Sequence, residues 1–376
     1  MKQCFVIMPI SSGDPYEVYL NRYKNIIKPA IEDYNNEGTR IFEAVRADFI
    51  TKTGSITKSV IQHIYNADLV IADLTDLNPN VFYELGVRHA LRNGTILVAL
   101  DGTKLPFDVG DLNTVFYKDR VGAERDAVPR LKALIHTLEK ESPEDSPVFD
   151  VLPALQNPQT RDLLQAQAIA SAYEAEVEEL KIKLGLAEEG NLRLRESFTT
   201  FERTIKTVLD RLAPKDREAA AEAVDQAVKA RSLETRRVAR LLPDVEEEPT
   251  RVFVLMPFGE EFVPIYQIIK DAGVIAEFKV TRADEMVSPG QIIAQIMDTI
   301  ASAGLIVADI TGQNPNVLYE IGMARSLGKN ILMISQDRDS IPFDIQDQRI
   351  IFYKNTIRGA EKLRKQLVIA MNQSVS

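Results

Sequence analysis

The chain has a single cysteine, three histidines and no tryptophan in 376 residues. One cysteine excludes an internal disulfide, and Cys4, set in an apolar run, reads as a small buried hydrophobe. The histidines, His63, His89 and His136, share no metal-ligand spacing, so no metal site is expected. Neither GxGxxG nor GxxxxGK[ST] occurs. The usual dinucleotide and P-loop signatures are therefore missing, and no resident cofactor is expected. No run approaches the roughly 18 apolar residues of a membrane span, and the N-terminal MKQCFVIMPI turns polar too soon for a signal peptide. Positive charge is scarce as well. The 45 Lys and Arg against 55 Asp and Glu leave −10, which argues against a general electrostatic grip on nucleic acid. These absences point to a soluble, cytoplasmic protein with no membrane partner.

What the chain does have is a repeat. Residues 71–86 read IADLTDLNPNVFYELG, and residues 307–322 read VADITGQNPNVLYEIG. Polar residues stay in register: Asp73 with Asp309, Thr75 with Thr311, Asn78 with Asn314, Asn80 with Asn316, Glu84 with Glu320. Further pairs share the same offset of 236 positions (84 to 320), namely Arg46-Ala47-Asp48 with Arg282-Ala283-Asp284, Pro106-Phe107-Asp108 with Pro342-Phe343-Asp344, and Phe116-Tyr117-Lys118 with Phe352-Tyr353-Lys354. Upstream, Phe5 to Pro9 matches Phe253 to Pro257 at an offset of 248 (5 to 253), so the first copy holds 12 extra residues before Arg46. A unit this long is a domain and not a solenoid repeat of about 20–50 residues.

Each copy alternates short apolar runs with longer stretches of helical periodicity. In the first, strands are expected at Cys4–Met8, Arg40–Val45, Leu69–Ala72, Thr95–Leu100 and Val115–Tyr117. Helices are expected at Tyr16–Tyr34, Ile56–Asn66, Asn80–Arg92 and Glu124–Lys140. The unbroken apolar third strand is buried on both faces. Alternation of this kind predicts an α/β class with two flavodoxin/Rossmann-like parallel-sheet domains, 1–145 and 250–376. Between them, 150–245 is rich in Ala, Glu, Leu, Arg and Gln. Ile169, Tyr173, Val177, Leu180 and Leu184 fall at helical spacing, and Phe198, Phe201, Ile205, Val208 and Leu212 form a heptad seam. This is an all-α middle segment, either a spacer packing on its own chain or, the favoured reading, a surface for homo-oligomer formation.

The chemistry concentrates after the third strand. Asn78 suits an N-cap and Pro79 the first helical position. Glu84 then falls in the second turn, on the face shared with Asn80 and Arg88. A surface ion pair with Arg88 is the simplest alternative for Glu84. Glu320, however, is kept where Ala324 replaces that arginine, which favours a functional glutamate. Helix N-terminal N–H groups at such a place favour an anionic ligand. Other polar residues repeat at strand ends: the loops holding Pro9 and Ser11 and holding Pro257 and Gly259, then Arg46 with Asp48 and Arg282 with Asp284. An arginine beside carboxylates suits a ligand with phosphate and ribose groups. Asp108 and Asp344 are weighed chiefly as caps of the turn after Pro-Phe.

The order FVIMP, RAD, a helix, then ADLTxxNPNVFYELG resembles the nucleoside 2-deoxyribosyltransferase-like superfamily. It resembles in particular bacterial proteins described as Toll/interleukin-receptor-like nucleotide-binding domains. The likeness covers both copies and leaves out the middle. It implies that Glu84 and Glu320 are nucleophiles attacking the anomeric carbon of a nucleoside, nucleotide or NAD-like N-glycoside. It also implies a role in bacterial defence against phage. The chain departs from the family at the acid helper, where Val60 and Ile296 stand in place of an aspartate, and at Asn78 and Asn314, where the family has an acid. Asp73, Asp309, Asp48 and Asp284 are the candidate replacements. A cationic leaving group such as the nicotinamide of NAD needs no proton. The rival expectation is a non-catalytic nucleotide-binding sensor that signals through its helical middle.

Overall fold

The computed structural model describes residues 1–10, 14–36, 39–49, 56–141, 145–152, 248–285, 292–346 and 348–375. The expected helical middle and Ser11 lie outside the described residues. The chain forms two compact units. The first holds Met1–Asp150, Gln313–Met323 and Pro342–Asp344, and the second holds Val151–Gly312, Ala324–Ile341 and Ile345–Ser376.

In the first unit the strands are β1 (Lys2–Ile7), a hairpin of β2 (Asn35–Asn36) and β3 (Thr39–Arg40), β4 (Phe42–Arg46), β5 (Leu69–Asp73), β6 (Thr95–Leu100) and β7 (Thr114–Tyr117). The helices are α1 (Asp14–Arg22), α2 (Lys28–Glu32), α3 (Ile56–Asn66), α4 (Pro79–Leu91), α5 (Phe107–Gly110), α6 (Glu124–Glu141) and α7 (Pro147–Val151). The main sheet runs β4-β1-β5-β6-β7 with every pair parallel. Alternation along the strands splits the core. Cys4, Val6, Leu69, Ile71, Ile96 and Val98 face Ile27, Ala30 and Ile31 and the α6 residues Ala127, Leu131 and Ile135. On the other face Phe5 stacks on His63 of α3, ring centroids 5.6 Å apart. Burying such Val, Leu and Ile side chains contributes about 1.5–3 kcal/mol each. Cys4 lies fully inside the first core, where burial pushes its thiol up.

The 12 extra residues of the first copy have a visible place. A single helix of 13 residues follows the first strand in the second copy. Here α1 and α2 are joined by a five-residue π-helical segment, Tyr23–Ile27, and the β2–β3 hairpin follows. The expected strand Arg40–Val45 is accordingly split, with Arg40 in the hairpin and the sheet strand starting at Phe42.

The second unit repeats the sheet. Its strands are β8 (Glu248–Leu255), β9 (Lys279–Arg282), β10 (Ala303–Asp309), β11 (Ile331–Ser335) and β12 (Ile350–Phe352), ordered β9-β8-β10-β11-β12 and all parallel. Helices α8 (Val263–Ile275), α9 (Ile292–Ser302) and α11 (Ile357–Val375) follow, with α10 (Pro315–Ser326) between β10 and β11 in the chain. Ile265, Ile269 and Ala272 of α8 and Leu363, Leu367 and Met371 of α11 share one core with Val252, Val254, Leu305, Val307 and Ile334. Numbered within each repeat, both sheets have the order 2-1-3-4-5, the doubly wound flavodoxin-like arrangement. Its ligand crevice lies outside the carboxyl ends of the first and third strands, where the connections diverge. In the first unit those strands are β1 and β5, and α4 starts just beyond β5. Among the described residues no helix is long and apolar enough to cross a membrane.

Candidate functional site

The loop between β5 and α4 is strained and tightly closed. Leu77 has a φ of 49° and its counterpart Gln313 a φ of 53°, the left-handed region that costs a side-chain-bearing residue about 1–2 kcal/mol. The turn delivers Asn78 as N-cap, its Oδ1 accepting from Asn80 N at 3.0 Å and Val81 N at 3.4 Å. Asn314 does the same for Asn316 and Val317 at 3.0 and 3.4 Å. Both asparagines thus use helix N–H groups that an anion would otherwise meet. Repeated strain at a strand-to-helix loop is a known mark of functional sites.

Asp73 and Asp309 serve an internal staple. Thr75 N donates to Asp73 Oδ1 at 3.1 Å, and the Thr75 hydroxyl donates to the same oxygen. That hydroxyl in turn accepts from Leu100 N at 3.1 Å, joining the loop to β6. Tyr117 donates to Asp73 Oδ2 at 3.5 Å, and Arg22 stands 3.8 Å from it. The second copy rebuilds the set, with Thr311 N and Oγ1 at 3.0 and 2.6 Å from Asp309 Oδ1, Gln336 N at 3.0 Å from Thr311 Oγ1, and Tyr353 donating to Asp309 Oδ2 at 2.6 Å. Both carboxyls are buried, and desolvation raises their pKa despite these bonds. Their polar capacity is engaged in joining three strands, which also explains why Tyr117 and Tyr353 repeat.

The Arg-Ala-Asp elements close on themselves. Arg46, fully buried, forks onto Asp48 through Nε at 2.6 Å and through a second, shorter bond. The rings of Tyr16 and Tyr23 flank it at 5.5 and 5.2 Å. Arg282 forks onto Asp284 at 2.7 and 2.5 Å, with Phe258 at 5.7 Å and Tyr266 at 4.3 Å. Bidentate pairing and cation–π contact fix both guanidinium planes. Pro9 is buried at the end of β1, whereas Pro257 and Gly259 are partly exposed beside the exposed Phe258.

The two glutamate helices meet inside the first unit. A Cβ built on Gly86 would stand 2.1 Å from Tyr319 O, and one on Gly322 would stand 2.3 Å from Tyr83 O. The glycine two residues after each glutamate therefore lets α4 and α10 touch backbone to backbone. Tyr319 seals the crossing, sharing a 2.7 Å hydrogen bond with His89 Nδ1 edge-on to its ring. Burial, then Arg88, pushes His89 down to about 3, so the ring is neutral.

Beside this crossing the Pro-Phe-Asp turn of each repeat is anchored on the glutamate helix of the other. Asp344 N donates to Asn80 Oδ1 at 3.3 Å, and Asp108 N donates to Asn316 Oδ1 at 3.4 Å. Each of these asparagines precedes its glutamate by one helical turn on the same face. Desolvation, then the Asp344 carboxylate, raises Glu84 well above the usual range, and desolvation with Asp108 does the same to Glu320. Asp108 is itself pushed up to about 7 by burial. Glu320, Asp108 and Asp344 are buried, while Glu84 keeps partial exposure. Two neighbouring carboxyls cannot both ionise readily, so each pair favours keeping one proton. Asp108 Oδ2 is buried with no hydrogen-bond partner among the described residues, an arrangement that costs about 1–3 kcal/mol.

Arg88 is no partner of Glu84. It is fully buried and donates to the carbonyls of Ile64 at 2.7 Å, Ala67 at 3.0 Å, Asn93 at 2.5 Å and Gly94 at 3.0 Å. The simple ion-pair explanation of Glu84 is thereby overturned. In the second copy Lys329 Nζ reaches Ala303 O at 3.0 Å, the carbonyl equivalent to that of Ala67, and stands in for the arginine lost at Ala324. Val60 and Ile296 are apolar and buried to 4% and 3% exposure, so α3 and α9 present no carboxyl there. The residues that sequence reasoning undervalued are Asp108 and Asp344. The signal was their repetition at the common offset, in a turn where an ordinary cap explains one aspartate as well as two. Among the described residues no group of His, Cys, Asp and Glu side chains is arranged to hold a metal. No protein-family model, curated protein or solved structure matches the chain.

Proposed function

We propose that the protein cleaves the N-glycosidic bond of a nucleotide or of NAD, with Glu84 and Glu320 as nucleophiles. One observation carries this reading. In both repeats a buried or half-buried glutamate, on a helix entered through a strained loop, is set beside a second carboxyl. Paired carboxyls are what glycoside chemistry employs. One attacks the anomeric carbon and forms a glycosyl ester, and water then releases the sugar. The likeness of the NPNVxYE element to nucleoside 2-deoxyribosyltransferases supports the same assignment. Through the heptad seam of the middle segment the chain would form a homo-oligomer, and defence against phage is the biological setting that the resemblance suggests.

The test is base release from NAD and a panel of ribo- and deoxyribonucleotides, comparing wild type with Glu84→Gln, Glu320→Gln and the double variant. Turnover is expected to drop roughly 10³-fold or more in the double variant. A wild-type protein that releases no base from any member refutes the assignment. A second reading is favoured by the apolar Val60 and Ile296: a nucleotide-binding sensor without turnover. Binding of an unaltered nucleotide, recovered intact from the complex, would decide for it.

A further inference from the structure

The departure at Val60 and Ile296 removes the proton donor that an ordinary nucleobase needs in order to leave. The crossing of α4 and α10 supplies a candidate for it. We propose that Asp108 and Asp344 deliver that proton, each to a base whose sugar is attacked by the glutamate of the other repeat, Asp108 serving Glu320 and Asp344 serving Glu84. This rests on the reading of the two glutamates as nucleophiles.

The main-chain anchoring is the same in both places. The main-chain N of each aspartate is hydrogen-bonded to the asparagine one turn ahead of the glutamate, at 3.4 Å for Asp108 and 3.3 Å for Asp344. The Pro-Phe-Asp turn is thereby anchored on the glutamate face of the opposing helix. Asp108 is 6% exposed, and its Oδ2 has no protein partner among the described residues. A buried carboxyl oxygen left without a donor is an acceptor waiting for a ligand, or the bearer of a proton to give one. The groups that face it are Glu320 and the Tyr319 hydroxyl, both of which feel its charge. Asp344 is faced by Glu84 in the same way. Immediately before them in the chain, Phe107 and Phe343 remain 55% and 44% exposed, flat apolar rings on which a purine or pyrimidine can stack.

The step balances with one proton per pair. With the one proton of the pair on the aspartate, the glutamate is a carboxylate. A glutamate oxygen bonds to the anomeric carbon while the carbon–nitrogen bond breaks. The bonding electrons pass to the base nitrogen, which takes the aspartate proton, and the base leaves neutral. In the return half the aspartate carboxylate removes a proton from water as its oxygen bonds to the anomeric carbon. The ester bond breaks, the glutamate carboxylate is restored, and the aspartate again holds the proton. Attack and return by opposite faces retain the sugar configuration.

The experiment uses the full-length chain as wild type and as the Asp108→Asn/Asp344→Asn double variant, with two substrates. A purine nucleotide must have its base protonated, whereas NAD loses nicotinamide without a proton. Purine release is expected to fall roughly 10²- to 10⁴-fold in the asparagine variant. Single-turnover release of nicotinamide from NAD, which precedes the return half, should fall less than about 10-fold in the same preparation, which also shows that the variant is folded. If it does not fold, the wild-type pH profile decides. Purine turnover should decline above about pH 7, where Asp108 loses its proton, and NAD turnover should not. Equal losses on both substrates, unimpaired purine release, or a wild type that cleaves NAD alone would each overturn the proton-donor role while leaving the glutamates in place. A wild type that cleaves neither overturns both assignments.

Discussion

Replacing Gly322 by alanine tests the crossing on which the paired carboxyls depend. In an exposed helix a Gly→Ala change stabilises by about 1 kcal/mol, because alanine loses less backbone entropy. Here the added Cβ would stand 2.3 Å from Tyr83 O, 3.0 Å from Val87 N and 3.2 Å from Gly86 Cα. All three are backbone atoms, so no side chain can swing aside, and the helices must separate by about 1 Å or more to restore ordinary contact. Overpacking of this kind costs about 1–3 kcal/mol. Set against the propensity gain, the net loss is about 1 kcal/mol and rises to about 2 where the helices resist separation. Gly86→Ala, with Tyr319 O at 2.1 Å, should cost at least as much. With no tryptophan in the chain, urea unfolding followed by far-UV circular dichroism is the suitable assay. Gly110→Ala, where a Cβ meets nothing within 4 Å, serves as the control. The two crossing variants should lower the urea midpoint and combine non-additively, since they fill one gap. A raised midpoint in either would refute the backbone-to-backbone packing.

Stability should depend on pH through the buried acids. Asp108, held up to about 7 in the folded chain against 3.8 when unfolded, binds its proton more tightly when folded. Its contribution is therefore complete below about pH 4 and is lost as pH rises through 7, on the order of 4 kcal/mol at most. Glu84 and Glu320 act in the same direction, and Asp108→Asn should flatten the melting-temperature profile between pH 5 and 8, as scanning calorimetry would show. Tyr353→Phe removes a 2.6 Å bond to Asp309, whereas Tyr117→Phe removes one of 3.5 Å to Asp73. The first should cost about 1 kcal/mol and the second distinctly less in urea titrations. Lys329→Met leaves the buried carbonyl of Ala303 without the lysine Nζ at 3.0 Å and should destabilise by about 1–3 kcal/mol. An unchanged midpoint would deny Lys329 the task that Arg88 performs in the first copy.

The fold was largely legible because strand and helix periods, the Asn-Pro start signals and the repetition of each element all agree. Leu69 to Ala72 reads as a doubly buried strand, and Asn78 as a cap, on local chemistry alone. The tasks of individual polar residues were less legible. Asp73 and Thr75 repeat as faithfully as Glu84, yet they staple β6 and the last strand, and a repeated structural hydrogen bond leaves the same trace as a repeated reactive group. Arg88 sits at surface-pair spacing from Glu84, but only the tertiary structure shows the four carbonyls that surround it. The approach of Asp344 to the Asn80 face and of Asp108 to the Asn316 face joins residues more than two hundred positions apart. No local pattern encodes that approach, although Gly86 and Gly322, two residues beyond the glutamates, are its steric condition.

Peptide-resolved mass spectrometry of the full-length chain, quenched in acid during turnover of a nucleotide substrate, tests the glutamate assignment most directly. A sugar adduct is expected on the peptide carrying Glu84 or Glu320, lost in the corresponding glutamine variant. Base release at an undiminished rate in the double glutamine variant, with no adduct on either peptide, would contradict it.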